Sequence, residues 1–489
     1  MKTKSWIKIL GGTLAVAGLI LVQTSVPVVH AAATIVVNSI GDTTADDGVC
    51  TLREAITAAN TDTASGSNAG ECESGLGADT ISFAITGSAS FTNGGQNGYT
   101  LIPATNLPDI TSQVTIDGYS QANAVVNTAI SPNPLNGRLL IELDGTNVTL
   151  NSKNCLNIAS GSDNSIIKGL IINRCEGSAI SIAEVDSVKI EGNYIGTDPT
   201  GLIARSNGAP SGGSSVAVSV GANCSTSTDT NTTNTVLGGS SAAVRNLISG
   251  NRGAGIGICA VDTTVQGNYI GIAADGLAAL GNSINVGDGS GGATIDYADG
   301  VIIGGVNAGE MNIFSGNYNA GVSPYRSVNM TVQGNYFGLG YDGSTMVPND
   351  SGFNCGECDN VLIGGTVPGA RNIFSGNINS GLNSDSNNTN MTVYGNYMGT
   401  DKTGMLPRPN RVGVALLDSS NITVGGVGSQ FRNVIAGNTV KNVQLGLLDS
   451  IAGVTNSTIQ GNFIGVDASG AVNGSFDNGA VERKGQCLC

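Results

Sequence analysis

Carboxylates recur in this sequence at spacings that could bring charge into line. Asp198, Asp401 and Asp467 each stand five residues after an Asn in a repeated string, and Asp275 and Asp342 stand seven after one. Stacked, they would form a sparse acidic row; the competing reading is that an Asp beside a Gly simply makes the turn. The segment GDGSGGATIDYADG from Gly287 to Gly300 has the flavour of a calcium roll, with Asp288, Asp296 and Asp299 as oxygen ligands, although it is not a tandem nonapeptide array. Arg245, Arg371 and Arg432 occupy matched positions, with Met311 in the fourth copy. A recurring Arg is more naturally structural than a single catalytic base. Tyr194, Tyr269, Tyr336, Tyr397 and Phe463 each follow a repeated Asn. Strand alternation turns them outward, where rings can stack on sugars; the alternative is that they pack over the adjoining turn.

The chemistry these residues could support is bounded by what else is present. The one His, His30, lies in a segment expected to be removed, so His-dependent hydrolysis is disfavoured. Calcium-assisted lysis of an acidic polysaccharide stays open. It needs a cation on the uronate, carboxylate ligands, and an Arg or Lys to take the α-proton. The even count of ten cysteines fits an oxidising compartment. Cys50 with Cys72, Cys155 with Cys175, and Cys224 with Cys259 are candidate disulfide pairs. Cys355-Gly-Glu-Cys358 reads as a local disulfide in preference to a zinc or redox site, because no second thiol pair at zinc spacing accompanies it.

These residues sit on a repeat. Five strings of one kind begin at Gly192, Gly267, Gly334, Gly395 and Gly461, from GNYIGTDPTG to GNFIGVDASG. A second kind interleaves with them, as in IGGTVPGARNIFSGN from Ile363. Short β-branched runs broken by Gly-Asn read as strand, tight turn, strand. The runs are too short for helices, and no 3.6-residue period accompanies them. A unit of about 65 residues holding three strand-turn groups predicts coils of about 20 to 25 residues, stacked at the strand spacing of ~4.8 Å. Asn side chains on successive coils would then bond to one another.

Composition agrees. Gly is 73 of 489 residues, about twice the usual ~7%, and charged residues are 12% against a typical ~25%, while 40% hydrophobic content argues against disorder. The net charge of −15 makes nucleic acid and anionic membranes poor partners. At the N-terminus, Lys2, Lys4 and Lys8 precede an apolar run from Ile9 to Val22 and the small residues of VPVVHAAA. This reads as a signal peptide cleaved after Ala31 or Ala33, the run being shorter than the roughly 20 residues that span a membrane. Further on, Thr51-x-x-Glu54 is a capping box, with Leu52, Ile56 and Ala59 on one helical face. That short helix could plug the apolar end of a stack. Arg53 and Glu54 could form an acid–base pair, but charges on a helix surface are the commoner reading.

Cys50-Thr-Leu-Arg-Glu-Ala55 resembles the motif of bacterial exported proteins with a CSLREA N-terminal domain, Thr51 standing where Ser is usual. Residues Thr100 to Gln121 and Ile141 to Gly145 are similar to that family's first coils, and the two repeated strings to its β-helix repeats. The resemblance runs from about Ala33 to Asn478. It implies an all-β fold: a right-handed parallel β-helix (solenoid) of pectate-lyase-like architecture with a short N-terminal amphipathic capping helix. It implies little about activity. The expected organisation is a signal peptide over 1–31, a strand and capping helix over 32–78, the β-helix over 79–478 and a tail over 479–489. The expected function is that of a monomeric, secreted or cell-surface, non-enzymatic adhesin or glycan-binding scaffold, whose partner is an extracellular polysaccharide or cell-surface glycan. The alternative is a calcium-assisted polysaccharide lyase or another carbohydrate-active enzyme. Catalysis needs one special place, so any such chemistry belongs where the repeat breaks.

Overall fold

The computed structural model describes residues 32–148, 153–209, 216–222, 224–284, 291–446, 453–472, 474, 476 and 482–483. The expected signal segment 1–31, Asp288, Cys487 and Cys489 lie outside these. From residue 32 onward the chain winds as a right-handed parallel β-helix with three long sheets. The first has 13 strands, from Thr34–Val37 to Thr458–Gln460; the second has 11, from Leu156–Ile158 to Glu482–Arg483. The third has 13, beginning with a hairpin of Phe91–Asn93 on Gln96–Leu101 and ending at Phe463–Ile464. Every other strand pair is parallel, as a chain wound always in one sense requires.

Register corrects the expected coil. Tyr336 pairs with Ile373, which pairs with Tyr397, which pairs with Val434. The Gly-Asn-Tyr string and the Arg-Asn string are therefore the same third-sheet strand on alternate coils. One repeat makes two coils, not three. Val332 pairs with Ile363 and Ile363 with Val393, so a coil takes about 30 residues. The difference is loop: the strands are as short as expected, but turns of unequal length alternate between them. Carboxylates one repeat apart are thus about 10 Å apart at ~4.8 Å per coil.

Strand alternation fills the lumen with Val, Ile, Leu and Phe, all but excluded from water. Phe314, Phe337 and Phe374 stack on three successive coils with centroids 5.4 and 4.6 Å apart. Where the first sheet turns into the third, Gly-Asn makes the bend on alternate coils. Asn335 is fully buried; its Nδ2 donates to Ile303 O, Gln333 O and Asn372 Oδ1, and its Oδ1 accepts from the N and Nδ2 of Asn312. An amide both donates and accepts, so one residue type satisfies a buried turn and passes the pattern to the next coil. The ladder runs from Asn193 to Asn462. A second one, which the sequence reading did not find, runs from Asn207 through Asn317 and Asn377 to Asn442 where the third sheet turns into the second.

The N-terminal end is closed as expected. Leu52–Thr61 is α-helical, capped by Thr51 and Glu54 in a reciprocal box, and buries Leu52, Ala55, Ile56, Ala58 and Ala59. Arg53 and Glu54 are both held in local contacts, and Glu54 is not a surface charge. Glu54 is 4% exposed and accepts from Thr51 N and Ala45 N. Arg53 clasps Asp42 and donates to the carbonyls of Thr105 and Asn106, pinning the helix to the solenoid. Cys50 is bonded to Cys72.

Candidate functional site

The aromatic row turns away from the lumen, but water does not reach it. Tyr194, Tyr269 and Tyr336 are at most 6% exposed and Tyr397 is 9% exposed, while Phe463 is partly covered. Each strand that carries one of them is two residues long, so the chain reverses at once into a loop, bridged at Thr197 to Ala204, Ile272 to Ala279, Leu339 to Met346 or Thr400 to Pro407 for the four tyrosines. The loop folds over its own tyrosine. These loops then stack across two coils: Tyr341 N donates to Gly276 O, and Lys402 N to Gly343 O. The five residues are thus the core of an outer layer and offer no open stacking platform. Burial raises the Tyr269 and Tyr336 hydroxyls to about 12.

The recurring arginines belong to the same layer. Arg245 lies 4.5 Å over Tyr269, Arg371 4.0 Å over Tyr397 and Arg432 4.0 Å over Phe463. Each Nε donates to the carbonyl of the Gly that opens the next Gly-Asn string. Met311 packs in the equivalent place. The recurring carboxylates make turns. Asp401 accepts from Thr403 Oγ1, Met405 N and Leu406 N, and Asp198, Asp275, Asp342 and Asp467 act alike.

Of the calcium candidates that are described, Asp299 accepts from Asn329 Nδ2 at 2.7 Å, and the Asp296 carboxyl has no hydrogen-bond partner among the described residues. Among the described residues no three His, Cys, Asp or Glu side chains converge as a cation's ligands would. Cys155 is joined to Cys175, Cys224 to Cys259 and Cys355 to Cys358.

A cluster unlike the repeated strings stands at the corner where the second sheet turns into the first. There Tyr297, Arg326 and Glu357 occupy one register position on three successive coils, since Asp296 pairs with Tyr325 and Tyr325 with Gly356. All three have left-handed backbone, with φ of 58°, 52° and 54°. That conformation is unusual for side chains of this bulk. Arg326 Nε meets Glu357 Oε2 at 2.7 Å, Tyr325 Oη donates to Glu357 Oε1 at 3.0 Å, and Arg326 Nη1 donates to Tyr297 Oη at 3.0 Å. The guanidinium lies 5.0 Å from the Tyr325 ring and 5.7 Å from that of Tyr297, and the two rings meet edge to face at 6.0 Å.

Tyr325 is 37% exposed, and the Arg326 and Glu357 side chains are 45% and 31% exposed. The Cys355–Cys358 disulfide, buried at both ends, closes the turn that presents Glu357. Beside Tyr297 lies an insertion whose strand Asp229–Thr233 pairs with Ala260–Val261, and whose Thr228 hydroxyl donates to Tyr297 O. The Arg326 and Tyr325 hydrogen bonds hold Glu357 below the usual Glu range, and burial lifts Asp296 to about 6.

A neutral-plus-charged surface with two rings and a fixed Arg–Glu pair can stack on an apolar sugar face and bond its hydroxyls. Of this cluster the sequence reading singled out only Asp296. Glu357 was noted as the interior of a CxxC, and Tyr297, Tyr325 and Arg326 went unremarked.

Compared by sequence, the chain matches no family model and no curated protein. Some solved structures are similar to it at low identity. The Dettilon tailspike protein gp208 is 12% identical over 78% of this chain, with a TM-score of 0.40, and this chain spans 62% of its length. The A-module of the Azotobacter vinelandii mannuronan C-5 epimerase AlgE6 is 14% identical, with 78% and 90% of the two chains covered and a TM-score of 0.40. PfbA, a surface adhesin of Streptococcus pneumoniae, is 11% identical, with 82% and 85% covered and a TM-score of 0.37.

Proposed function

We propose that this protein is an extracellular, non-enzymatic glycan-binding β-helix that takes a carbohydrate at Tyr297, Tyr325, Arg326 and Glu357. The observation that carries the reading is the exposed, mutually bonded cluster at the corner where the second sheet turns into the first. The four disulfides and the resemblance of the Cys50 to Ala55 motif to exported CSLREA-domain proteins support an extracellular setting. Arg326 is committed to Glu357, which keeps it charged and makes it a poor base for a lyase.

A carbohydrate-active enzyme is the second reading, favoured by one observation: the Asp296 carboxyl, unpartnered among the described residues and proton-holding near pH 6, stands on the strand beside Tyr325. One experiment separates the two. The purified chain from residue 32 is applied to a glycan array and incubated with neutral and acidic polysaccharides, with and without calcium. Binding without product, weakened at least tenfold by Tyr325→Ala and by Glu357→Gln, is the expected result. Product that disappears in Asp296→Asn, or unsaturated product formed only with calcium, overturns it.

A further inference from the structure

The corner cluster adjoins a surface that the proposed function does not use. The last eight strands of the first sheet, from Val236–Gly238 to Thr458–Gln460, cover roughly 34 Å at ~4.8 Å per strand. Earlier strands of that sheet carry Asp117, Lys168, Lys189 and Glu191, whereas these eight carry no ionisable charge.

Two ranks of side chains point outward from this face. One is built of Thr and aliphatic residues, such as Thr331, Leu362 and Thr392 on successive coils. The other alternates a long flat side chain with Gly. Gln266 Nε2 donates to Gly304 O at 3.0 Å and Gln333 Nε2 to Gly364 O at 2.9 Å, so each amide lies across the glycine of the next coil. Those glycines cannot be replaced: a Cβ at Gly304 would stand 2.0 Å from Gln333 O, and one at Gly364 2.0 Å from Tyr394 O. The surface therefore has bars and furrows that repeat every two coils, about 10 Å.

Both borders follow the same geometry. On one side, loops on alternate coils expose Val306, Val367 and Val427 at 45%, 51% and 84%. On the other lie exposed asparagines in left-handed turns, with Asn360 Nδ2 donating to Asn329 Oδ1 at 2.7 Å. Asn329 and Asn360 are three residues beyond Arg326 and Glu357, so the face is continuous with the corner cluster.

Resting on the glycan-binding reading, we infer that this face binds a neutral, extended β-1,4-linked glycan, laid along the solenoid axis with one disaccharide for every two coils. In such a chain successive sugars are turned over, so every second sugar presents the same face, and the disaccharide rise is close to the two-coil rise. The sugar's C–H faces lie on Thr methyls, Leu362 and the exposed valines. Its hydroxyls meet the Gln and Asn amides. A polyuronate finds no cation on this floor and is repelled by a chain of net charge −15.

The test is calorimetric titration of the chain from residue 32 with cello- and chito-oligosaccharides of two to eight sugars, beside oligouronates and flexible α-linked glucans. Affinity is expected to rise in two-sugar steps. The double variant Thr331→Glu/Thr392→Glu is expected to lose at least tenfold affinity for the long oligomers, with an unchanged circular-dichroism spectrum and melting temperature. Tyr325→Ala is expected to lower affinity while leaving the steps in place. Glycan binding that responds to Tyr325→Ala but shows no steps and ignores the face variant overturns the inference and spares the corner site. Stepwise binding that ignores Tyr325→Ala overturns the corner site alone. Preference for oligouronates, or a concentration-dependent dimer that the face variant abolishes, overturns the inference.

Discussion

Asp296 gives the residue scale its clearest test. Its carboxyl titrates at about 6 in the folded chain against an ordinary 3.8, because burial disfavours the charge. The folded state then holds a proton that the unfolded chain has released, so stability falls as pH rises through this window and stays lower above it. Asp296→Asn removes the effect. Its melting temperature should match the parent below pH 4 and exceed it by a few degrees at pH 7; equal melting at both pH values sinks the assignment. Within the ladder, Asn335→Ala should be destabilising by about 3 kcal/mol in urea titration, since it orphans the buried N–H groups of Asn312 as well as losing its own bonds. The ladder was legible because its Asn recurs in every copy of both strings, after Gly in one and after Arg or Met in the other. The corner cluster was not. Its members lie about 30 residues apart at a position that other coils fill differently, and only stacking register unites them.

At the scale of elements, the capping helix could be read directly, since Thr51 and Glu54 satisfy its first turn locally and the apolar spacing names the buried face. Thr51→Ala should lower stability by about 1 kcal/mol in the same titration. The outward turn of the tyrosines was also legible from alternation. Their cover was not, because it depends on a loop doubling back over a strand of two residues, and nothing in the period of the sequence sets a loop's direction. If the arginines serve that layer, Arg371→Met should change stability by less than about 1 kcal/mol, since Met311 fills the same place in another repeat, and cation–π contacts are worth little more. Tyr397→Ala should be destabilising by about 3–5 kcal/mol. A large loss in Arg371→Met would give that guanidinium a role beyond packing.

For the whole molecule, the unit that can be added or removed is the pair of coils. Joining Thr331 to Val393, with 332–392 deleted, restores every pairing and should leave a cooperative unfolding transition and an unchanged circular-dichroism shape. Deleting 332–362 brings two long-loop coils together. Those loops already touch when two coils apart, a Cβ at Gly369 standing 2.0 Å from Val306 O, so at half that distance they overlap. That variant should aggregate or lose its cooperative transition; if it folds as well as the paired deletion, the two-coil unit has no structural meaning.

The hydrogen bonds between coils run along the solenoid's axis, and this bears on how the molecule carries a load. Tension applied to its two ends strains one rung at a time, so the structure peels and does not shear. Each coil of about 30 residues then releases about 100 Å of slack chain. Cys155–Cys175 and Cys224–Cys259 tie coils together only before residue 260, while Cys355–Cys358 lies within a single turn. Among the described residues, everything beyond residue 260 is free to unreel in equal lengths while the first part stays wound. In a force–extension trace this appears as evenly spaced low-force steps, to which a reductant adds further ones. A β-helix wound this way is also a spool.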